Sequence, residues 1–203
     1  MIKAIVFDLD GVFFENGTET FIASLQEKYQ LEEDEIKEVY FRSQQMADYK
    51  QGKILGDEYW NWAIETWNIP TTKEEIVKLL IDSYSVKDQT KLYVEDLRNR
   101  GFKTAICTNN FPERLNGLKE RFSLNKYFDA IVASFEVGIT KPSPEIFEEL
   151  SRQLDCKPEE IIMSDDKEDN VLALKQLGFN VIGYTDWETF VSEVEGIIEE
   201  SSR

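Results

Sequence analysis

The pattern that most restricts the fold is a regular alternation of short apolar segments with helical ones. Segments rich in β-forming residues occur at 102–108, 129–134, 160–164 and 180–184, and helical patterns separate them. A further apolar run covers residues 2–7. Strands that alternate with helices are typical of a parallel sheet covered on both faces. We therefore predict an α/β fold, with a Rossmann-like parallel sheet of about five strands and helices on both faces.

Residues 15–85 interrupt this alternation. Here the sequence predicts consecutive helices near 18–30, 33–50, 56–67 and 73–84. Ligands of open α/β sheets bind beyond the carboxyl ends of the strands, so an insert that leaves the first strand stands over the expected site. We predict a small helical cap domain at 15–85 and a catalytic core made of 1–14 and 86–203.

Charge and composition exclude several kinds of chemistry. The chain has 23 Lys and Arg against 40 Asp and Glu, a net charge of −17, and it contains no His. An acidic surface repels nucleic acid and anionic membranes, so we expect neither as a partner. The absence of His excludes Ser-His-Asp and Cys-His catalysis as well as His-ligated zinc. Acid–base chemistry must then depend on Asp, Glu, Lys, Tyr or Cys.

The same composition bears on location. Cys107 and Cys156 are the two cysteines, which does not suggest a disulfide scaffold. Neither a charged-then-apolar leader nor an apolar stretch of membrane-spanning length is visible. We expect a cytoplasmic protein, as a monomer or a homodimer.

Polar residues follow the predicted strands at the points where the strands end. In chain order they are Asp8 and Asp10, then Thr108 and Asn109, then Lys141, then Asp165, Asp166 and Asp169. In a parallel sheet all of them face one edge, where crowded carboxylates must be protonated or share a cation. Magnesium is the usual ion where carboxylates meet a substrate phosphate. We predict a Mg²⁺ site with an adjoining pocket for a tetrahedral anion, in which a lysine supplies charge and a threonine hydroxyl donates.

These segments, taken in order, resemble a known family. The DLD at 8–10, Thr108, Lys141 and the run "SDDKEDN" are similar to the four motifs of the haloacid dehalogenase-like hydrolase superfamily. The insert at 15–85 resembles the small helical cap of that superfamily. The stretch "DYKQGKILGDEYW" together with "SDDKEDN" resembles its glucose-1-phosphatase-like branch.

The resemblance implies roles for the residues of the first motifs. Asp8 would be the nucleophile that forms an aspartyl-phosphate, and Asp10 would protonate the leaving oxygen and then activate water. The carboxylates of Asp8 and Asp165, with the backbone carbonyl of Asp10, would hold Mg²⁺. Thr108 and the neighbouring amides would bind the transferring phosphoryl group.

The later motifs complete this assignment. Asn109 and Lys141 would also bind phosphate, with Lys141 offsetting the charge of Asp8. Asp169 would orient the lysine, whereas Asp166 would act either as a direct ligand or by supporting the ligands. Ser164 stands where the family often has Gly.

Aromatic and basic residues of the insert allow two interpretations. Trp60, Ala63, Ile64 and Trp67 follow helical spacing and predict the apolar core of the cap. Trp62, Arg42, Tyr49 and Lys50 could contact the leaving group of a substrate, or could belong to a solvated face.

The resemblance makes a Mg²⁺-dependent phosphatase of a small phosphorylated metabolite, such as a sugar phosphate, the leading hypothesis. A phosphomutase would share Asp8, Asp10 and the metal. A dehalogenase is disfavoured, because that branch lacks the second acid of the first motif. A phospho-receiver signalling module, from another class, also combines Asp, Thr and Lys, but it has a different strand order and no such insert.

Overall fold

The computed structural model describes residues 1–14 and 16–203. Within these ranges five strands form one parallel sheet, in the order β3-β2-β1-β4-β5. The strands are β1 (Ala4–Phe7), β2 (Lys103–Thr108), β3 (Ala130–Ala133), β4 (Ile161–Asp165) and β5 (Asn180–Gly183). The predicted α/β class and parallel sheet are confirmed. Strands β2 to β5 begin and end within one residue of their predicted segments, whereas β1 begins two residues into the apolar run at 2–7.

The strand order places the central strand at the point where the chain changes direction. From β1 the chain builds outward through β2 and β3, and it then returns to the other side of β1 as β4 and β5. Ligands of such sheets bind at this switch point, beyond the carboxyl ends of the strands. The residues that follow β1 and β4 therefore meet in one crevice.

Apolar side chains of β1 alternate between two faces of the sheet. Ala4 and Val6 pack in one cluster with Phe147, while Ile5 and Phe7 pack in a second cluster. Because both faces are covered, the strand is a continuous apolar run with all four residues buried. The helices that follow the insert are α6 (Asp88–Asn99), α7 (Pro112–Phe122), α8 (Ser134–Val137), α9 (Pro144–Leu154), α10 (Glu168–Gln176) and α11 (Trp187–Ser201). None of the described helices is both long enough and apolar enough to cross a membrane.

A helical insertion separates β1 from β2, as the sequence predicts. Its helices are α1 (Gly17–Tyr29), α2 (Glu33–Lys37), α3 (Gln44–Lys50), α4 (Gly56–Trp67) and α5 (Lys73–Asp82). The division into a cap at 15–85 and a core at 1–14 and 86–203 stays a prediction, and Glu15, its first cap residue, lies outside the described residues.

One predicted helix, over 33–50, is wrong as a continuous element. After α2 the chain forms a π-helical turn, Glu38–Arg42, and Ser43 then has extended backbone angles. The Ser43 hydroxyl accepts a hydrogen bond from the Met46 N–H at 3.1 Å and donates to the Val39 carbonyl at 2.6 Å. A serine that bonds locally in this way competes with the helix interior and starts a new helix, here α3.

One aromatic side chain of the core packs against several rings of the insertion. Phe111, next to the end of β2, stacks on Tyr49 with ring centroids 4.8 Å apart and meets Trp60 at 6.0 Å. Tyr59 also stacks on Tyr49, with ring centroids 4.9 Å apart. Such aromatic pairs add to the free energy of apolar burial. Tyr49 therefore belongs to the buried junction, and the substrate contact that the sequence allowed for its ring is wrong.

The other cap residues divide between the two interpretations. Trp60, Ala63 and Trp67 are buried, which confirms their place in the apolar core of the insert. Arg42 is exposed and paired with Glu38 at 2.5 Å, as expected of a solvated face. Trp62 is partly buried, with its ring 6.0 Å from that of Tyr59.

Candidate active site

Three charged side chains meet where β1 and β4 end. The Lys141 ammonium lies 3.0 Å from Asp8 Oδ1 and 2.7 Å from Asp165 Oδ2. All three residues are buried, Asp165 completely. A buried charge must be paired and hydrogen-bonded to be tolerated, and each member of this group meets that condition through the others.

Asp8 is the first residue after β1, and its carboxylate is fixed by local bonds. Its Oδ1 accepts a hydrogen bond from the Leu9 N–H at 2.8 Å. Burial raises the pKa of Asp8 to about 6; attraction to Lys141 opposes this shift, and repulsion from Asp165 and Asp10 adds to it. A crowded carboxylate of this kind gains most from a cation that joins the crevice.

Lys141 lies on the loop between α8 and α9, and a side chain of the β2 end holds its backbone. The Asn109 side chain accepts from the Lys141 N–H at 2.7 Å and donates to the Lys141 carbonyl at 3.1 Å. The ammonium also donates to the Cys107 carbonyl at 3.0 Å. Burial lowers the pKa of Lys141, but attraction to Asp8 and Asp165 outweighs this and raises it above its ordinary value. The predicted phosphate contact of Asn109 therefore depends on its backbone N–H, because its side chain is occupied.

Asp165 ends β4, and both of its carboxylate oxygens already accept hydrogen bonds. Lys141 donates to Oδ2, while the Asn170 amide and the Lys167 N–H donate to Oδ1 at 2.8 Å and 3.0 Å. The prediction that Asp169 orients the lysine is wrong, since Asp165 does so and Asp169 is exposed in the first turn of α10. One residue further along the helix, Asn170 is buried and donates to Asp165; the sequence analysis considered only the acids of this motif and missed it.

Asp166 completes a group of acids with the spacing of a metal site. One oxygen from each of Asp8, Asp165 and Asp166 lies within 4.8 Å of the others. The set consists of hard carboxylate oxygens, two of them on buried residues, and such a set suits Mg²⁺. Of the two roles that the sequence left open for Asp166, this placement favours direct ligation. The predicted ligands Asp8 and Asp165 lie in the same group.

Thr108 and Asp10 occupy the same edge. Thr108 is the last residue of β2, is buried, and aligns with Ala133 of β3. Its contact with a phosphoryl group stays a prediction. Asp10 lies in a tight loop closed by hydrogen bonds from the Gly11 N–H to the Phe14 carbonyl and from the Phe14 N–H to the Leu9 carbonyl, both 2.8 Å.

An arginine that the sequence analysis missed pairs with Asp10. Arg114, in the first turn of α7, donates to Asp10 Oδ2 and is itself only 3% exposed. Its guanidinium lies 5.1 Å from the ring centroid of Tyr84. The signal in the sequence was weak, because an arginine that follows a proline by two residues is ordinary on a solvated helix. Its partner, 104 residues away, comes close only in the fold.

A crevice of about 500 Å³ opens beside this group. Asp10, Gly11 and Asp166 line it, together with the start of α1 and residues 184–188. It gives the acidic group a route to solvent and room for a small molecule.

Comparison with known proteins agrees with this geometry. The family model described as haloacid dehalogenase-like hydrolase matches residues 2–178. The chain is similar to D-ribitol-5-phosphate phosphatase from Bacteroides thetaiotaomicron, with 27% identity over 88% of this chain and 90% of that protein. It is also similar to bifunctional epoxide hydrolase 2 from Sus scrofa, with 26% identity over 97% of this chain but 39% of that protein.

Among solved structures, the chain resembles a HAD family enzyme from Bacteroides thetaiotaomicron in complex with magnesium and inorganic phosphate. The two chains are 19% identical, the TM-score is 0.75, and the match covers 94% of this chain and 99% of the other. At this identity the likeness shows a shared fold.

Proposed function

We propose that this chain, which belongs to the haloacid dehalogenase-like hydrolase family, is a phosphatase that hydrolyses a small phosphorylated metabolite in a magnesium-dependent reaction. The observation that carries this proposal is the buried Asp8 carboxylate, which lies 3.0 Å from Lys141 and within one oxygen cluster with Asp165 and Asp166. A sugar phosphate is the proposed kind of substrate, and the D-ribitol-5-phosphate phosphatase relative supports it.

In the first half-reaction Asp8 attacks phosphorus. A bond forms between a carboxylate oxygen of Asp8 and the phosphorus atom while the ester P–O bond breaks in line with it. Lys141 keeps Asp8 ionised and offsets the negative charge of the phosphoryl group. The leaving alkoxide takes a proton from Asp10, so that a neutral alcohol departs.

In the second half-reaction Asp10 acts as the base. It accepts a proton from a water molecule whose oxygen bonds to phosphorus, and the aspartyl-phosphate bond to Asp8 breaks. Arg114 holds Asp10 in one place through its contact with Oδ2, which leaves Oδ1 to carry the proton that is given up in the first step and regained in the second. Inorganic phosphate leaves, and Asp8 and Asp10 return to their starting states.

The residues that would hold Mg²⁺ are Asp8, Asp166 and the backbone carbonyl of Asp10, with Asp165 beside them. When bound, the ion supplies positive charge to the carboxylates and to the phosphate oxygens. The donor set supports this choice, because it contains oxygen atoms and no histidine or cysteine.

The test is phosphate release from a chromogenic phosphate ester and from a panel of sugar phosphates, with Mg²⁺ and then with excess EDTA. We expect release with Mg²⁺ and none with EDTA. Asp166→Asn should raise the Mg²⁺ concentration needed, whereas Asp169→Asn, an equal change at an exposed acid, should not. Full activity in EDTA would contradict the proposal.

The same assay separates the alternatives. A phosphomutase would give an isomeric sugar phosphate with little inorganic phosphate, and a phospho-receiver module would stop after one phosphorylation of Asp8. Release of halide from a 2-haloacid would indicate a dehalogenase, which the presence of Asp10 disfavours. The net charge of −17 supports a small-molecule substrate rather than nucleic acid or an anionic membrane. A cytoplasmic monomer or homodimer stays a prediction.

A further inference from the structure

The last residue of α3 is fastened to the core by its backbone. The Lys50 carbonyl accepts a hydrogen bond from the Ser134 hydroxyl at 2.6 Å, and that hydroxyl accepts one from the Asn110 N–H at 3.0 Å. Just beyond, Gly52 has φ +67°, and a Cβ there would lie 2.6 Å from the Phe135 carbonyl oxygen. The backbone of this segment therefore lies directly on the strand ends, and the backbone position of Lys50 is fixed there.

The side chain of Lys50 is partly withdrawn from water without a counter-charge. Among residues 1–14 and 16–203, no carboxylate forms an ion pair with its ammonium. Burial lowers the pKa of Lys50 to about 8; Arg114 and Lys167 lower it further, while Asp10 acts in the opposite direction. Of the charged groups that act on this ammonium, two are cationic and one, Asp10, is anionic.

Arg114 adds unused hydrogen-bonding capacity to the same place. Its ion pair goes to Asp10, and its Nε has no hydrogen-bond partner among the described residues. The buried Tyr40 hydroxyl interacts with Arg114 and Asp10 and so belongs to the same group. Buried polar atoms without partners are uncommon in native proteins, and each needs an explanation such as an absent ligand.

We propose that Lys50, together with Arg114, forms a subsite for a second anionic group carried by the leaving part of the substrate. This inference rests on the proposed phosphatase function and narrows its substrate class to phosphate esters that also contain a carboxylate or a second phosphate. Asp10 marks the side of the site that the leaving group occupies, because it donates the proton to that group.

Electrostatics favours an anion here over a neutral hydroxyl. A cation that is removed from water and placed among like charges loses its hydration without compensation. An anionic ligand compensates for this loss by direct charge attraction. Lys141 has two carboxylates for this purpose, whereas Lys50 has none within ion-pair distance in the described chain. The transferring phosphoryl group is thus assigned to Lys141 and the distal anion to Lys50.

The test uses two matched pairs of substrates with Mg²⁺ present. 3-Phosphoglycerate and glycerol 3-phosphate share a three-carbon skeleton and differ in a carboxylate, whereas fructose 1,6-bisphosphate and fructose 1-phosphate differ in a second phosphate. We expect kcat/KM to favour the anionic member of one pair by roughly tenfold or more, the value of a hydrogen bond to a charged group. The pair that responds identifies the anion.

Variants then assign the preference to Lys50. Lys50→Met should reduce the ratio of the two kcat/KM values to about one, and Lys50→Arg should retain most of it. Lys53→Met is the matched control, because the Lys53 side chain is 56% exposed and interacts with Asp48, 3.6 Å away. Lys50→Gln provides a second neutral variant, and a thermal melt of each protein confirms that it is folded.

A ratio near one in the wild-type protein for both pairs would overturn the inference, as would a preference that survives in folded Lys50→Met. In both cases the phosphatase proposal would stand, since the esters are still hydrolysed. Failure to release phosphate from all four substrates and from p-nitrophenyl phosphate would instead overturn the proposed function, and the subsite with it.

Discussion

Two lysines are withdrawn from water, one at the edge of the sheet and one in the helical insertion that lies on it. At the sheet edge, Lys141 is paired with Asp8 and Asp165, and the pKa of its ammonium is raised above the ordinary value. In the insertion, cationic groups act on Lys50, and its pKa is lowered to about 8, chiefly by burial. The fold itself supplies carboxylates that compensate the charge of Lys141, whereas the charge of Lys50 is left for a ligand to compensate.

This difference separates chemistry from recognition. The groups that transfer phosphate must be in position before the substrate arrives, so the fold supplies their partners. A group that recognises one part of the substrate is better left without an internal partner, because an internal ion pair would have to break on binding. Changes at the sheet edge should therefore affect every substrate, while changes at Lys50 should depend on what the substrate carries.

The largest effect is expected from Asp8→Asn. The amide keeps the shape of the carboxylate but loses the charged oxygen that attacks phosphorus, so no aspartyl-phosphate can form and turnover should vanish for all substrates. Phosphate release with a chromogenic ester measures this. Activity close to that of the wild type would place the nucleophile elsewhere. The sheet edge around Asp8 would then not be the catalytic region.

Asp10→Asn should cost less and should divide the two half-reactions. Loss of a positioned acid–base group lowers the rate by roughly 10²–10⁴-fold. A substrate with a good leaving group needs little protonation, so it should still phosphorylate Asp8, while hydrolysis of the intermediate lags. Mass spectrometry should then find one added phosphoryl group on the Asp8 peptide. Label on another residue would contradict the assignment of both aspartates.

The sequence could predict the sheet edge better than the insertion. The strands and the alignment of Asp8, Thr108, Lys141 and Asp165 could be predicted, because apolar periodicity defines strands and parallel strands end at one edge. The break at Ser43 was missed, since helical periodicity continues across it while a local serine bond decides the backbone.

The sequence analysis missed two side chains. One has a partner that is distant in sequence, and the other lies one helical position beyond the residue that was predicted. Arg114 meets an acid 104 residues away. In "SDDKEDN" the sequence analysis expected Asp169 to face inward, but the helix start after Lys167 turns Asn170 to Asp165 while Asp169 stays exposed. Acid-based motif matching favoured the carboxylate, whereas a buried partner for an already charged Asp165 is better supplied by a neutral amide.

A pair of substitutions in α10 sharpens this point with a smaller effect. Asn170→Ala removes the amide that donates to Asp165 Oδ1 at 2.8 Å, so the carboxylate loses orientation toward Lys141. Loss of such a supporting bond lowers metal affinity or activity by roughly 10–100-fold. Asp169→Ala is the neighbouring control and should stay near the wild-type rate. The reverse order of the two variants, in kcat/KM with saturating Mg²⁺, would restore Asp169 as the orienting residue.

The smallest effect tests the cap lysine without any substrate. Because the pKa of Lys50 is about 8 in the folded protein and ordinarily 10.5, both states hold the proton below pH 8, and the folded state there bears the full cost of the charge. Between pH 8 and 10.5 the folded state has released the proton while the unfolded chain keeps it, so this contribution to stability rises with pH. Lys50→Met removes the charge, and it should raise the free energy of unfolding at pH 7. The expected increase is on the order of 1–2 kcal/mol, because the partial exposure of the ammonium reduces the effect.

Urea unfolding at pH 7 and pH 9.5 measures this effect. The stability gained by Lys50→Met should be smaller at pH 9.5, since any gain from apolar packing of Met does not change with pH. Lys53→Met should show no such change, and an advantage of Lys50→Met that grew with pH would mean that Lys50 is compensated within the fold just as Lys141 is.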